Sequence, residues 1–122
     1  MELKERALLT GVNLNNDDDF EKSMDELENL AEACGFEVAG RVEQNLRSVN
    51  SAFYIGPGKV EETAALVEAM EIDAVIFDNE LTPTQQRNLE KALGCRILDR
   101  TQLILEIFAQ RARTREARLQ VE

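Results

Sequence analysis

Four short apolar runs, separated by three segments of helical period, fix what this 122-residue chain can become. Residues 7–12 form the first run, and turn formers follow from Asn13 to Asp19. Phe20, Met24, Leu27, Ala31 and Cys34 then recur at i, i+4, i+7, i+11 and i+14, which is one face of a helix. Asp18 and Glu21 are spaced as its cap and reciprocal partner, with Gly35 as its stop. Phe36, Val38, Gly40 and Val42 next alternate with Glu37, Ala39, Arg41 and Glu43, so one side of this strand faces solvent and it belongs at a sheet edge.

After a linker over residues 45–55, Gly56, Pro57 and Gly58 open a second helix carrying Val60, Ala64, Val67 and Met70. Residues 74–77 are apolar on both faces, the pattern of a central strand covered by helices. Thr82, Pro83 and Gln85 then start a third helix: threonine caps, proline suits the first helical position, and glutamine reaches back from three residues on. That helix buries Leu89, Ala92 and Leu93 and ends at Gly94; residues 95–98 make the fourth strand, and Asp99 with Gln102 caps the exit helix. The order βαβαβαβα predicts an α/β fold, a four-stranded parallel sheet with right-handed crossovers and helices on both faces. Two fully apolar central strands and one alternating edge strand give the spatial order 2-1-3-4.

The exit helix begins like a core element and then runs out of residues to bury. Leu103, Ile104, Ile107 and Phe108 supply an apolar stripe, but beyond Ala112 only Leu119 and Val121 stand against a run of arginines. From Asp99 to Glu122 it would span roughly 35 Å at about 1.5 Å per residue, longer than a domain of this size needs. The chain therefore divides into an α/β domain over residues 1–99 and, over residues 100–122, the start of a connecting helix that projects from it, cut before its covering partner.

Charge follows the same division. Residues 1–99 carry nine Lys and Arg against 21 Asp and Glu, a net −12, whereas residues 100–122 carry five against three, a net +2. The body repels polyanions, so contact with nucleic acid falls to the terminal helix or to a local loop. Two cysteines, Cys34 and Cys95, and no histidine exclude the common zinc patterns and a disulfide framework. Each adjoins a glycine at an element boundary, the place of a buried, inert thiol. No apolar run approaches the roughly 20 residues that cross a bilayer, and the expected location is the cytoplasm.

Three features could carry chemistry. In a 2-1-3-4 sheet the chain reverses between strands one and three, and ligands lie outside the carboxyl ends of the strands at that reversal. The crevice there would be bordered by Asn13 and Leu14 and by Asp78, Asn79 and Glu80, with the turn 56–59 on the same edge. In that turn Gly56, Gly58 and Lys59 resemble a phosphate cradle at a helix start, or else form a tight turn and nothing more. The spacing and terminal Ser or Thr of the G-x-x-x-x-G-K-[ST] loop are missing, so nothing here would ligate the magnesium of a hydrolysed nucleotide. The acidic run 17–19 reads as a solvated helix start rather than a metal site, and Asp78 with Glu80 lacks the nucleophile that an acid–base pair would serve. On the exit helix, Arg111, Arg115 and Arg118 fall at i, i+4 and i+7 on one stripe. Such a stripe either lies along an RNA backbone through bidentate phosphate contacts or merely keeps a connecting helix soluble.

Residues 54–62 (Tyr54, Ile55, Gly56, Pro57, Gly58, Lys59, Val60, Glu61, Glu62), then 77–83 and 86–90, then Asp99, Arg100, Thr101, Ile104, Leu105 and the segment 107–120 closely resemble the N-terminal region of the HflX family of ribosome-associated GTPases. The resemblance covers essentially the whole chain and is specific from about Asn50 onward. It implies an N-terminal α/β domain followed by a long antiparallel helical hairpin and a GTP-binding domain, in a protein that binds the large ribosomal subunit and splits stalled ribosomes. GTP and magnesium would then be held by the absent domain, leaving this fragment without an enzymatic activity of its own and with that GTPase domain and ribosomal RNA as partners. It also implies ATP binding in the N-terminal region, for which Gly56, Gly58 and Lys59 are the candidates. Two other readings stand beside it: an independent nucleotide-binding module using the crevice, and an acidic domain that docks protein.

Overall fold

The computed structural model describes residues 4–121, with side chains described through residue 112. Four strands, β1 (Arg6–Leu14), β2 (Glu37–Leu46), β3 (Ala74–Phe77) and β4 (Arg96–Asp99), alternate with four helices, α1 (Phe20–Ala33), α2 (Pro57–Ala69), α3 (Pro83–Leu93) and α4 (Arg100–Val121). All strand pairs are parallel and the order is β2-β1-β3-β4, as the apolar patterns required.

The two faces of the sheet carry separate cores. On one, Leu8, Val12, Val75 and Phe77 pack beneath Val60 and Val67 of α2 and Leu89 and Leu93 of α3. On the other, Ala7, Leu9, Ala74 and Ile76 meet Phe20, Met24, Leu27 and Ala31 of α1 and Leu103 of α4. Gly11 is what lets α1 lie this close: a Cβ there would come 2.5 Å from the Met24 sulfur.

Helix ends follow local chemistry. Thr82 and Gln85 form the expected reciprocal cap, with Gln85 N–H to Thr82 Oγ1 at 3.1 Å and Thr82 N–H to Gln85 Oε1 at 2.9 Å. α1 closes with paired bonds from Gly35 N–H to the Glu32 carbonyl and from Phe36 N–H to the Ala31 carbonyl, for which Gly35 adopts a φ of 97°.

Several local readings of the sequence are corrected. β1 and β2 run to Leu14 and Leu46 because they pair as far as Leu14 opposite Leu46, so Asn13 lies in a strand and the following linker is shorter. The cap position of α1 is Asp19, and no side chain caps it; Asp17 instead accepts from Asp19 N–H, and Asn13 Oδ1 accepts from Asp17 N–H, so the acidic run folds back on its own backbone. Ala92 faces solvent while Gln85 is buried in α3, and in α2 Thr63 is fully buried with its hydroxyl donating to the Lys59 carbonyl at 2.7 Å. Phe108 is 60% exposed rather than part of the buried stripe of α4.

Candidate nucleic-acid interface and phosphate turn

α4 leaves the sheet directly from β4. Asp99 and Gln102 cap its start reciprocally, with Gln102 N–H to Asp99 Oδ1 at 2.9 Å and Asp99 N–H to Gln102 Oε1 at 3.1 Å. The other Asp99 oxygen accepts from Leu81 N–H at 3.0 Å, tying the start of α4 to the turn after β3. Arg100, Leu103, Ile107 and Gln110 then fall at i, i+3, i+7 and i+10, a single seam against α1. Leu103 is fully buried and Ile107 packs beside it, while Gln110 Nε2 donates to the Cys34 carbonyl at 3.2 Å, where α1 ends. The helix continues for eleven residues beyond that contact, to Val121. Arg111, the first of the three candidate phosphate ligands, is exposed and has no carboxylate within ion-pair distance among the described residues. Arg115 and Arg118 lie outside the residues whose side chains are described.

The turn 56–59 has the backbone of a helix start. Gly56 occupies the cap position in an extended conformation, no side chain caps the helix, and Pro57 takes the first helical position. Gly56 N–H donates to Gln44 Oε1 of β2 at 3.0 Å. A Cβ at Gly58 would have nothing within 4 Å, so a ligand could approach the backbone there. Lys59 Nζ sits 3.0 Å from Glu62, and Val60 stands where a magnesium-binding Ser or Thr would be needed. These residues do not fit a hydrolytic magnesium–nucleotide site, and among the described residues no three His, Cys, Asp or Glu side chains could share a metal ion.

The crevice expected between β1 and β3 is occupied from within the chain. Tyr54, 3% exposed, packs with Ile55 on the core of that face, and Asn79 donates to its hydroxyl. Its backbone is held at φ 67° by reciprocal bonds with Asn50, at 3.1 and 2.9 Å. Gln85 and Asn88 of α3 fasten the same loop through the Asn50 and Ala52 carbonyls. Burial pushes the Tyr54 phenol above its usual range, opposed by the hydrogen bond from Asn79.

Two more of the crevice residues, Asp78 and Asn13, make their described contacts away from the turn 56–59. Asp78 is buried toward α1 and α4, where Arg100 Nη2 lies 2.6 Å from its Oδ1 and Ser23 Oγ donates to its Oδ2 at 2.8 Å. Asn13 lines a separate hollow of about 240 Å³ with Asn15, Asn16, Asn45, Leu46 and Arg47. The sequence assigns no role to Arg100, Tyr54 or Arg47, although Tyr54 and Arg100 stand in the segments that carry the family resemblance; an apolar cluster at residues 52–55 inside a supposed linker is the available sign that this segment is packed. Burial raises both thiols, Cys34 and Cys95, the state of unreactive cysteines.

Residues 21–109 match the family described as GTP-binding GTPase N-terminal. The GTPase HflX of Caldanaerobacter subterraneus subsp. tengcongensis is 50% identical over 119 residues, covering 98% of this chain and 27% of that protein. The GTPase HflX of Escherichia coli K12 is 42% identical over 118 residues, covering 97% and 28%. The chain thus spans less than a third of the length of the curated relatives it matches. Among solved structures, a GTP-binding protein of the archaeon Sulfolobus solfataricus in complex with GDP superposes with a TM-score of 0.65 at 26% identity, over 86% of this chain and 30% of that one. The C-terminal catalytic domain of the serine recombinase ISC1926 TnpA, 21% identical at a TM-score of 0.55, shares the fold alone. The chain belongs to the GTP-binding GTPase N-terminal family and is the N-terminal domain of an HflX-type GTP-binding protein.

Proposed function

We propose that this domain docks an HflX-type protein on the large ribosomal subunit through ribosomal RNA, in the cytoplasm, with the arginine-bearing part of α4 as the phosphate-contacting edge. The full-length protein would hold GTP and magnesium in its GTPase domain and use their turnover in splitting stalled ribosomes, while this domain supplies contact rather than chemistry.

The observation that carries the reading is the setting of Arg111. It stands exposed on α4 just past the Gln110–Cys34 contact, on a chain whose first 99 residues carry a net −12. An acidic body is repelled by RNA, so a cationic edge held out on a helix is where a phosphate backbone can be engaged. Among the described residues, no helix is long and apolar enough to cross a membrane. Co-sedimentation of the full-length protein with purified large ribosomal subunits tests the proposal. A version lacking residues 1–122 should lose most of the binding, and undiminished binding without them would refute it.

A second reading keeps the turn 56–59 as an ATP phosphate site. It is favoured by the open space at Gly58 and by the absence of a side-chain cap on α2, which leaves the helix start to a ligand. It does not extend to hydrolysis, because Val60 cannot ligate magnesium.

A further inference from the structure

Two directional fastenings bracket the apolar seam between α4 and α1. At the near end, Arg100 gathers three elements with one guanidinium. Its Nη2 donates to Asp78 Oδ1 at 2.6 Å, to the Ser23 carbonyl at 2.8 Å and to Ser23 Oγ at 3.1 Å, and its Nε donates to the Asp78 carbonyl at 3.2 Å. Glu26 of α1 lies 3.8 Å from Nη1. Ser23 closes the ring by donating to Asp78 Oδ2. At the far end, Gln110 reaches the last turn of α1.

Between these points, among the described residues, Leu103 and Ile107 supply the apolar contact from α4, which is non-directional and resists separation more than sliding or rotation. α1 and α4 each follow a parallel strand and cover the same face, so they run side by side in one direction. Ser23 to Cys34 is eleven residues and Arg100 to Gln110 is ten, so the two contacts bind matching lengths of helix. The direction in which α4 carries Arg111 past the end of α1 is therefore set by its directional contacts, the Asp99 cap, the Gln110–Cys34 bond and the guanidinium fork. Of these the fork joins three elements at once, in a planar geometry that fixes angle as well as distance.

We propose that Arg100 is a positioning residue for RNA contact: locked on Asp78 and Ser23, it sets the angle of α4 on α1 and hence where the arginines of α4 meet phosphate. This rests on the ribosome-docking reading above, but the geometry of the joint can be judged without it. Arg100 touches no ligand in this scheme. Its loss should alter where the cationic edge points without changing the number of phosphates that edge can reach.

The test uses Arg100→Gln, with the double variant Asp78→Asn/Arg100→Gln as the version that leaves no buried carboxylate unpaired, and Arg100→Lys as the conservative one. Residual dipolar couplings of backbone amides in this chain report the angle between α1 and α4. The sheet and α1 should keep wild-type couplings while those of α4 beyond Leu103 shrink, with Arg100→Lys intermediate because a point charge cannot bridge Asp78 and the Ser23 carbonyl together. In the full-length protein, affinity for purified large ribosomal subunits should fall roughly tenfold, since a loosened helix must be ordered on binding, yet the slope of log affinity against log salt should not change. Unchanged α4 couplings in both Gln variants overturn the proposal whatever the binding shows. A slope reduced by about one overturns it too, because Arg100 would then be a phosphate contact. If the wild-type protein does not bind subunits, the docking reading fails, and the couplings alone decide whether Arg100 is the joint.

Discussion

Tyr54 meets Phe77 edge to face, with ring centroids 5.9 Å apart and planes at 89°, at the carboxyl end of β3 where a doubly wound sheet usually opens to a ligand. The ring and the loop that carries it convert a potential crevice into core. The proposed contacts, on α4 and at the turn 56–59, lie outside this filled crevice.

Tyr54 is the only tyrosine of the chain, so its ionisation can be followed alone in the near ultraviolet. Burial disfavours the phenolate and raises its pKa in the folded state. The folded chain thus holds this proton more tightly than the unfolded one. The associated stability is fully present below the ordinary tyrosine value of about 10 and is lost as pH rises through the folded value. The thiols of buried Cys34 and half-buried Cys95 shift in the same direction, so the decline begins near their ordinary value. Spectrophotometric titration should give a midpoint above 10 in buffer and an ordinary one in denaturant. Equal midpoints would place the phenol in solvent.

Thr10 is fully buried in β1, and its hydroxyl has no partner among the described residues. Thr10→Val keeps the shape and removes the unsatisfied group, so urea unfolding should show a gain of about 1 kcal/mol. A loss of stability would mean that the hydroxyl has a partner after all.

Two glycines should respond oppositely to alanine. Gly11→Ala pushes a Cβ into Met24 and Phe20 and should cost about 1–3 kcal/mol. Gly58→Ala enters open space in the first turn of α2 and should gain about 0.5–1 kcal/mol by restricting the unfolded chain. Thermal melts of the two variants compare them directly. A destabilising Gly58→Ala would show that the turn has a conformational demand beyond an ordinary helix start.

Element order, strand order and most core positions were legible because they are periodic: Phe20, Met24, Leu27 and Ala31 are all buried as their spacing requires, and both reciprocal caps, at Thr82 and Asp99, form as written. What periodicity could not show was contact between distant segments. Nothing local to Asp78 says that Arg100, 22 residues on, will take its carboxylate, and nothing in residues 45–55 alone says that the loop will fold onto Phe77. The cap of α1 was missed for a different reason: in a run of asparagines and aspartates, several side chains compete for the same few N–H groups.

Lys59→Ala tests the phosphate turn. Its pairing with Glu62 is partly exposed and contributes little stability, so the melting temperature should hardly move while calorimetric titration shows weaker ATP binding. No ATP binding by the wild type, or the same affinity in the variant, would return the turn to a purely structural role.

The salt dependence of ribosome binding tests the docking account most directly. Each phosphate contact releases condensed counterions and contributes roughly 0.7–0.9 to the slope of log affinity against log salt, so Arg111, Arg115 and Arg118 together should account for about 2–3 of it. Filter binding of the full-length protein to large ribosomal subunits over a range of salt should show nearly one unit lost with each alanine and a slope lower by about 2–3 in the triple variant, with affinity falling in step. A triple variant that keeps both its affinity and its slope would show that these arginines are a solvated face and that this edge of α4 does not contact RNA.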